Sequence, residues 1–185
     1  MRRATIIFLL SLLLVLLVST AGRCDPVVAN GPSFDPDVII HRFFSCIEGS
    51  DFQGAASLLH CPEEYSESER SHNTQFLVKF LQLITGAFGK PLNHMPNEPP
   101  EVMWDISIEG GKGEYWKNLT YVLFQKQYQV AFEREGSGLV SFRFAKVGDK
   151  VVLRQVSYGF RSSTESRRRI DEIMHGIARE MMPVS

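Results

Sequence analysis

The chain is poor in cysteine, with three in 185 residues, at positions 24, 46 and 61. No Cys-x-x-Cys pair occurs, which removes a thioredoxin-type redox motif, and no second Cys or His stands at zinc-ligand spacing. His60 neighbours Cys61, but adjacent residues rarely ligate one metal. The sequence also has no phosphate-binding glycine loop, no G-x-S-x-G elbow and no Ser-His-Asp pattern, so no cofactor or metal is expected. It carries no excess of positive charge: 20 Lys and Arg stand against 21 Asp and Glu. That balance leaves no electrostatic footprint for nucleic acid. Arg167, Arg168 and Arg169 form the densest basic run, and Asp171, Glu172 and Glu180 follow it, as on a solvated helix face.

One long apolar run is present. Arg2 and Arg3 precede Ile6 to Val18, and the small residues Ser19-Thr20-Ala21-Gly22 follow. A basic start, an apolar run too short for a membrane span of about 20 residues and a small-residue end make a secretory signal, with cleavage expected after Ala21. Removal of residues 1–21 leaves 18 basic against 21 acidic residues, a net charge of −3. The expected destination is the periplasm or the extracellular medium, with no stable membrane span after processing. Attachment of a lipid at Cys24 is the weaker reading, because Arg23 stands where such signals carry Gly or Ala.

Residues 22–35 lack periodicity and read as a flexible linker. Asp35-Pro36 opens a helix with Ile39, Phe43, Cys46 and Ile47 on one face. Gly49-Ser50-Asp51 stops it and starts a short second helix that ends at Cys61-Pro62. A charged loop, EEYSESER, leads to a third helix whose firm part is NTQFLVKFLQLITGAFG, and Pro91 to Pro100 reads as a loop with four prolines. The period then falls to two. Val102, Trp104, Ile106 and Ile108 share one phase, and three longer strand patterns follow, ending at Phe160.

Parity tests how those strands pair. A two-residue turn at Gly148-Asp149 would set Phe144 opposite Leu153 and turn Gln155 and Ser157 to the core. A three-residue loop, Gly148-Asp149-Lys150, aligns even positions with even ones, so that Phe142 faces Val156. The three-residue loop is therefore expected, with Gly136-Ser137-Gly138 as a second one. STESRRRIDEIMHGIAREMM closes the chain as an amphipathic helix with Ile170, Ile173 and Ile177 on one side. The expected fold is α+β: three N-terminal helices packed on a curved antiparallel meander sheet, plus a C-terminal amphipathic helix. The domain spans 36–160 and the last helix falls within 161–185.

The acidic turn between unequal helices in FFSCIEGSDFQGAASLL, the apolar third helix and the long-stranded meander ending in VVLRQVSYGF resemble the nuclear-transport-factor-two-like superfamily, the cone-shaped fold shared with ketosteroid isomerases. The resemblance covers roughly residues 36 to 160. It implies a cone used as an enzyme pocket in some members and as an interaction domain in many others, so it settles no activity.

Two cations, Lys126 and Arg154, interrupt apolar strand phases. One reading makes them an anion site walled by Trp104, Tyr128 and Tyr158; the other places each at a bulge or rim, its stem on apolar surface and its charge in water. Cys46 and Cys61 are a candidate disulfide in an exported protein. In an antiparallel helix pair, however, their Cα atoms would lie roughly 10 Å apart, beyond the ~7 Å limit. A Cys24–Cys61 bridge and buried free thiols are the other readings. The functional expectation is a non-catalytic exported module that holds a small hydrophobic ligand or an envelope protein. An isomerase-like or hydrolase-like enzyme is one alternative. The other is an assembly subunit that forms a homodimer through Ile170, Ile173 and Ile177.

Overall fold

A computed structural model describes residues 34–97, 106–111, 122–160 and 164–181. Helix α1 spans Pro36–Glu48, α2 Phe52–Ser57 and α3 Glu67–Phe88; strands β1 to β5 span Pro91–Pro96, Ile106–Glu109, Val122–Phe132, Gly136–Val147 and Lys150–Phe160; helix α4 spans Thr164–Met181. The chain is α+β, with helices before and after an antiparallel five-stranded sheet in the order β1-β3-β4-β5-β2. Strands β3, β4 and β5 form the meander, and β1 and β2 flank it at opposite edges. The expected signal sequence, the part of the expected linker up to Ser33, and Trp104 lie outside the described residues.

Local chemistry sets the helix ends. The Asp35 carboxylate accepts from the Asp37 amide at 2.9 Å, with Pro36 supplying a first-turn residue whose amide is not needed. Asp51 accepts from the Gly54 amide at 2.9 Å and starts α2. Helix α3 opens earlier than its firm apolar part, because Ser66 and Glu69 form a reciprocal capping box. Its apolar stripe, Leu77, Phe80, Leu81, Ile84 and Phe88, is buried.

The β4–β5 hairpin corrects the expected register and explains one of the two misplaced cations. Val147 pairs with Lys150 across a two-residue turn, with Gly148 at φ +58°, a conformation suited to glycine. Phe144 accordingly faces Leu153. A bulge between Arg143 and Phe144 then absorbs Arg154 and restores even pairing, so that Phe142 does face Val156. The bulge keeps Val156, Tyr158 and Phe160 buried despite the short turn. The β3–β4 loop does contain three residues, but they are 133–135. Gly136 pairs with Phe132, and Gly138 lies within the strand, where an added Cβ would stand 2.9 Å from the Phe132 ring.

Residues 91–96, expected as loop, form edge strand β1 against β3. The two prolines bound the strand, and prolines are tolerated at a sheet edge. The phase of the meander facing away from the helices is less solvated than its polarity suggests. Gln127, Ser141 and Ser157, paired in one row, are buried. Arg143 links the next row by donating to Gln125 at 3.1 Å and to Gln155 at 3.3 Å.

The core is aromatic. Phe43 and Phe44 of α1 meet Phe142 edge-on, both with ring centroids 5.4 Å apart, and Phe88 stacks on Phe160 at 3.7 Å. Helix α4 packs back on this core: Ile173 and Ile177 are buried and Ile170 lies against the cluster. These isoleucines, proposed above as a dimer contact, are therefore spent on the chain's own fold.

Cys46, 2% exposed, is disulfide-bonded, whereas Cys61 is a free, half-buried thiol. The candidate Cys46–Cys61 bridge is thus not formed, as the length of chain between them suggested, and a free Cys61 excludes a Cys24–Cys61 bridge as well. The chain's remaining cysteine, Cys24, lies outside the described residues. Burial pushes the Cys61 thiol pKa up, so it reacts slowly at neutral pH. Iodoacetamide applied to unreduced, denatured protein should label Cys61 and leave Cys46 unlabelled, as read by peptide mass spectrometry; alkylated Cys46 would contradict the assignment.

Candidate functional site

The residues predicted to line one anion site are distributed among separate places. Lys126 does stand on the core-facing phase of β3, at the margin where α1 begins. Its ammonium meets both oxygens of Asp37 at 2.6 Å. The Tyr128 hydroxyl, two residues further along the same strand face, donates to Asp37 at 2.8 Å. The pair is not enclosed, with 34% of the Lys126 and 43% of the Asp37 side chain accessible. At such exposure it contributes roughly 0–1 kcal/mol. Its larger effect is electrostatic: the Lys126 charge is already satisfied, so this corner attracts an anion weakly.

Arg154 is neutralised in the same manner at the opposite edge. Its guanidinium donates through two nitrogens to Glu109 of β2, each at 2.7 Å. Tyr158 lies fully inside the core, in the row Tyr128–Val140–Tyr158, and burial pushes its pKa far up. Thus Lys126 and Tyr128 are brought together by a carboxylate that sequence reasoning left at a helix end, while Arg154 belongs elsewhere. Arg154 does sit at a bulge, as the alternative reading expected, and Lys126 stands beside the start of α1, but the charge of each meets a carboxylate rather than water alone.

Asp37 is held below the usual carboxylate range, chiefly by the hydrogen bond from Lys126; burial opposes the shift and the Tyr128 hydroxyl adds to it. An isomerase-type acid or base needs the reverse, a carboxyl raised by an apolar pocket.

A groove of about 450 Å³ lies between the first half of α3 and the end of β2, lined by Tyr65, Ser68, Glu69, His72, Asn73, Phe76, Glu109 and Gly111. Positions 65, 69, 72 and 76 recur at helical spacing, so the early start of α3 builds the wall. Sequence reading placed Tyr65 to Arg70 in a charged loop and missed this face; the Ser66-x-x-Glu69 spacing is the signal that reveals it. Gly111, at φ +84°, brings the other wall close: an added Cβ would lie 3.4 Å from the Tyr65 hydroxyl oxygen. The groove's carboxylates are already engaged. Glu69 accepts from Ser66 N at 3.0 Å and from its hydroxyl at 2.9 Å, and Glu109 holds Arg154. Tyr65 and Phe76 supply aromatic surface, and Ser68, His72 and Asn73 supply hydrogen-bonding groups.

No family model, curated protein or solved structure matches this chain.

Tyr128→Phe removes one donor from Asp37, so its carboxyl should titrate at higher pH while remaining paired with Lys126. Because a depressed carboxylate stabilises the fold above its unfolded pKa and loses that contribution as pH falls through the folded value, the variant should cost about 1 kcal/mol at pH 7 and less in acid. Carboxyl NMR titration with urea unfolding at both pH values checks this; an unchanged Asp37 titration would contradict the hydrogen bond's role.

Proposed function

We propose that the protein is an exported, non-catalytic binding module that holds a small, largely apolar and uncharged ligand in the groove between α3 and β2. The observation that carries this reading is the groove's lining. Tyr65 and Phe76 offer apolar contact, Ser68, His72 and Asn73 offer hydrogen bonds, and both carboxylates are committed to partners within the chain. A volume near 450 Å³ falls in the range of small-molecule sites. An anionic ligand would meet the Glu69 and Glu109 carboxylates among these walls, whereas a neutral one finds apolar surface and hydrogen-bonding groups.

The disulfide at Cys46 supports export, since such bonds persist in oxidising compartments, and it agrees with the basic and apolar start of the chain. Among the described residues no helix is long and apolar enough to cross a membrane. Helices layered on an antiparallel sheet also fit the resemblance to nuclear-transport-factor-two-like proteins, many of which serve binding rather than catalysis. The lowered Asp37 carboxyl argues against the isomerase-like alternative at that corner.

Nile red, a neutral fluorophore, provides a probe of the groove. Ser68→Trp should fill the groove and weaken dye binding at least about tenfold, the scale of a lost apolar contact. Ser71→Trp, exposed on the same helix but outside the lining, should bind as the parent does. Equal affinities for the two variants, whether retained or lost, would contradict the groove as the site.

A further inference from the structure

The contact between α1 and edge strand β1 contains a second arrangement of titratable groups, independent of the groove. His41 of α1 and His94 of β1 face each other, with Nδ1 of His41 3.3 Å from Nε2 of His94 and ring centroids 5.4 Å apart. His94 also stacks on Phe44 of α1, with centroids 4.0 Å apart and planes 17° from parallel, and meets Tyr128 of β3 edge-on. Its other nitrogen, Nδ1, is buried and has no hydrogen-bond partner. His41, by contrast, is exposed.

We propose that His41 and His94 form a proton-operated clasp that holds α1 against β1 near neutral pH and releases it in mild acid. A hydrogen bond between two imidazoles needs one facing nitrogen with a proton and one without. The buried Nδ1 selects which. Were His41 the donor, His94 would carry its proton on Nδ1 as an unsatisfied buried donor; with His94 donating through Nε2, that nitrogen is only an unused acceptor. One further proton breaks the arrangement wherever it binds. On His41 it sets two N–H groups face to face, and on His94 it places both a charge and an unpartnered N–H against the Phe44 ring.

Few charged groups surround the pair, and most of them are engaged elsewhere. On α1, Asp37 lies one turn before His41 but is committed to Lys126 and Tyr128 of β3. Glu48, at the far end of α1, favours a proton on His94 more weakly than burial and His41 oppose it, so the His94 pKa lies below the ordinary histidine value. Lys90, just before β1, gives its ammonium to the Glu48 carbonyl. No other described residue of β1 is ionisable. The sign follows. A histidine whose folded pKa is depressed contributes full stability above its unfolded pKa, near 6.5, and loses it as pH falls below that value.

Amide hydrogen exchange on the full chain, corrected for the intrinsic pH dependence of exchange, tests the clasp by comparing α1 with α3 at pH 7.5 and pH 5. Loss of one hydrogen bond already shifts an opening equilibrium by roughly two- to tenfold. The α1 amides should lose at least that much protection at pH 5 while α3 amides keep theirs. His94→Phe preserves a ring against Phe44 and cannot titrate, so its α1 protection should be the same at both pH values. Should that variant fail to fold, His41→Gln at the exposed position serves: its glutamine still accepts from His94 but takes no second charge, so opening should need a lower pH. Equal protection of parent α1 at both pH values, or the parent's loss recurring in either variant, would overturn the proposal.

Discussion

The seat of α1 on the sheet, through Phe43 and Phe44 set edge-on against Phe142, is the contact on which the other features depend. Both rings are nearly inaccessible, and truncating one such phenylalanine costs about 3–5 kcal/mol in a packed core. With the helix fixed there, its polar residues have set positions. Asp37 comes down over Lys126 and Tyr128, and one turn later His41 reaches His94. Cys46 faces inward in the same helix. Aromatic packing therefore fixes the placement, and the weaker polar contacts are consequences of it.

Charge is handled by pairing across elements. Lys126 and Arg154 stand at opposite sides of the sheet, and each meets a carboxylate from an element distant in sequence, Asp37 or Glu109. Helix α4 repeats the device, with Glu165 bound by both Arg168 and Arg169 and held down to a pKa of about 2. Arg168 and Arg169 of the basic run that stands out in the sequence are thereby paired locally. What the groove offers for recognition is aromatic surface and hydrogen-bonding groups.

Much of this fold was legible because hydrophobic period separates helix from strand. The three early helices, the meander and the last amphipathic helix follow from that period, and the α1 and α2 caps from Asp35 and Asp51. Strand β1 was hidden because its prolines read as loop, and at a sheet edge they are permitted. The hairpin turn was hidden for a subtler reason. Parity called for an odd loop, but a bulge at Arg154 supplies the same one-residue correction inside the strand. The buried row Gln127–Ser141–Ser157 gave no signal at all, since polar alternation normally marks the wet face of a sheet. Of the candidate site, Lys126 and Tyr128 were found through a broken apolar phase. Their partner Asp37, separated from them by most of the domain, was not. The groove wall depended on a capping box that extends α3 by a turn and more.

Native mass spectrometry of the unreduced protein, purified from its own source, tests the central claim most directly. A groove that holds a small neutral ligand predicts a monomer with one non-covalent small-molecule adduct, released on mild collisional activation to the apo mass. A ligand-free dimer under the same conditions would contradict that account and assign the chain to assembly instead.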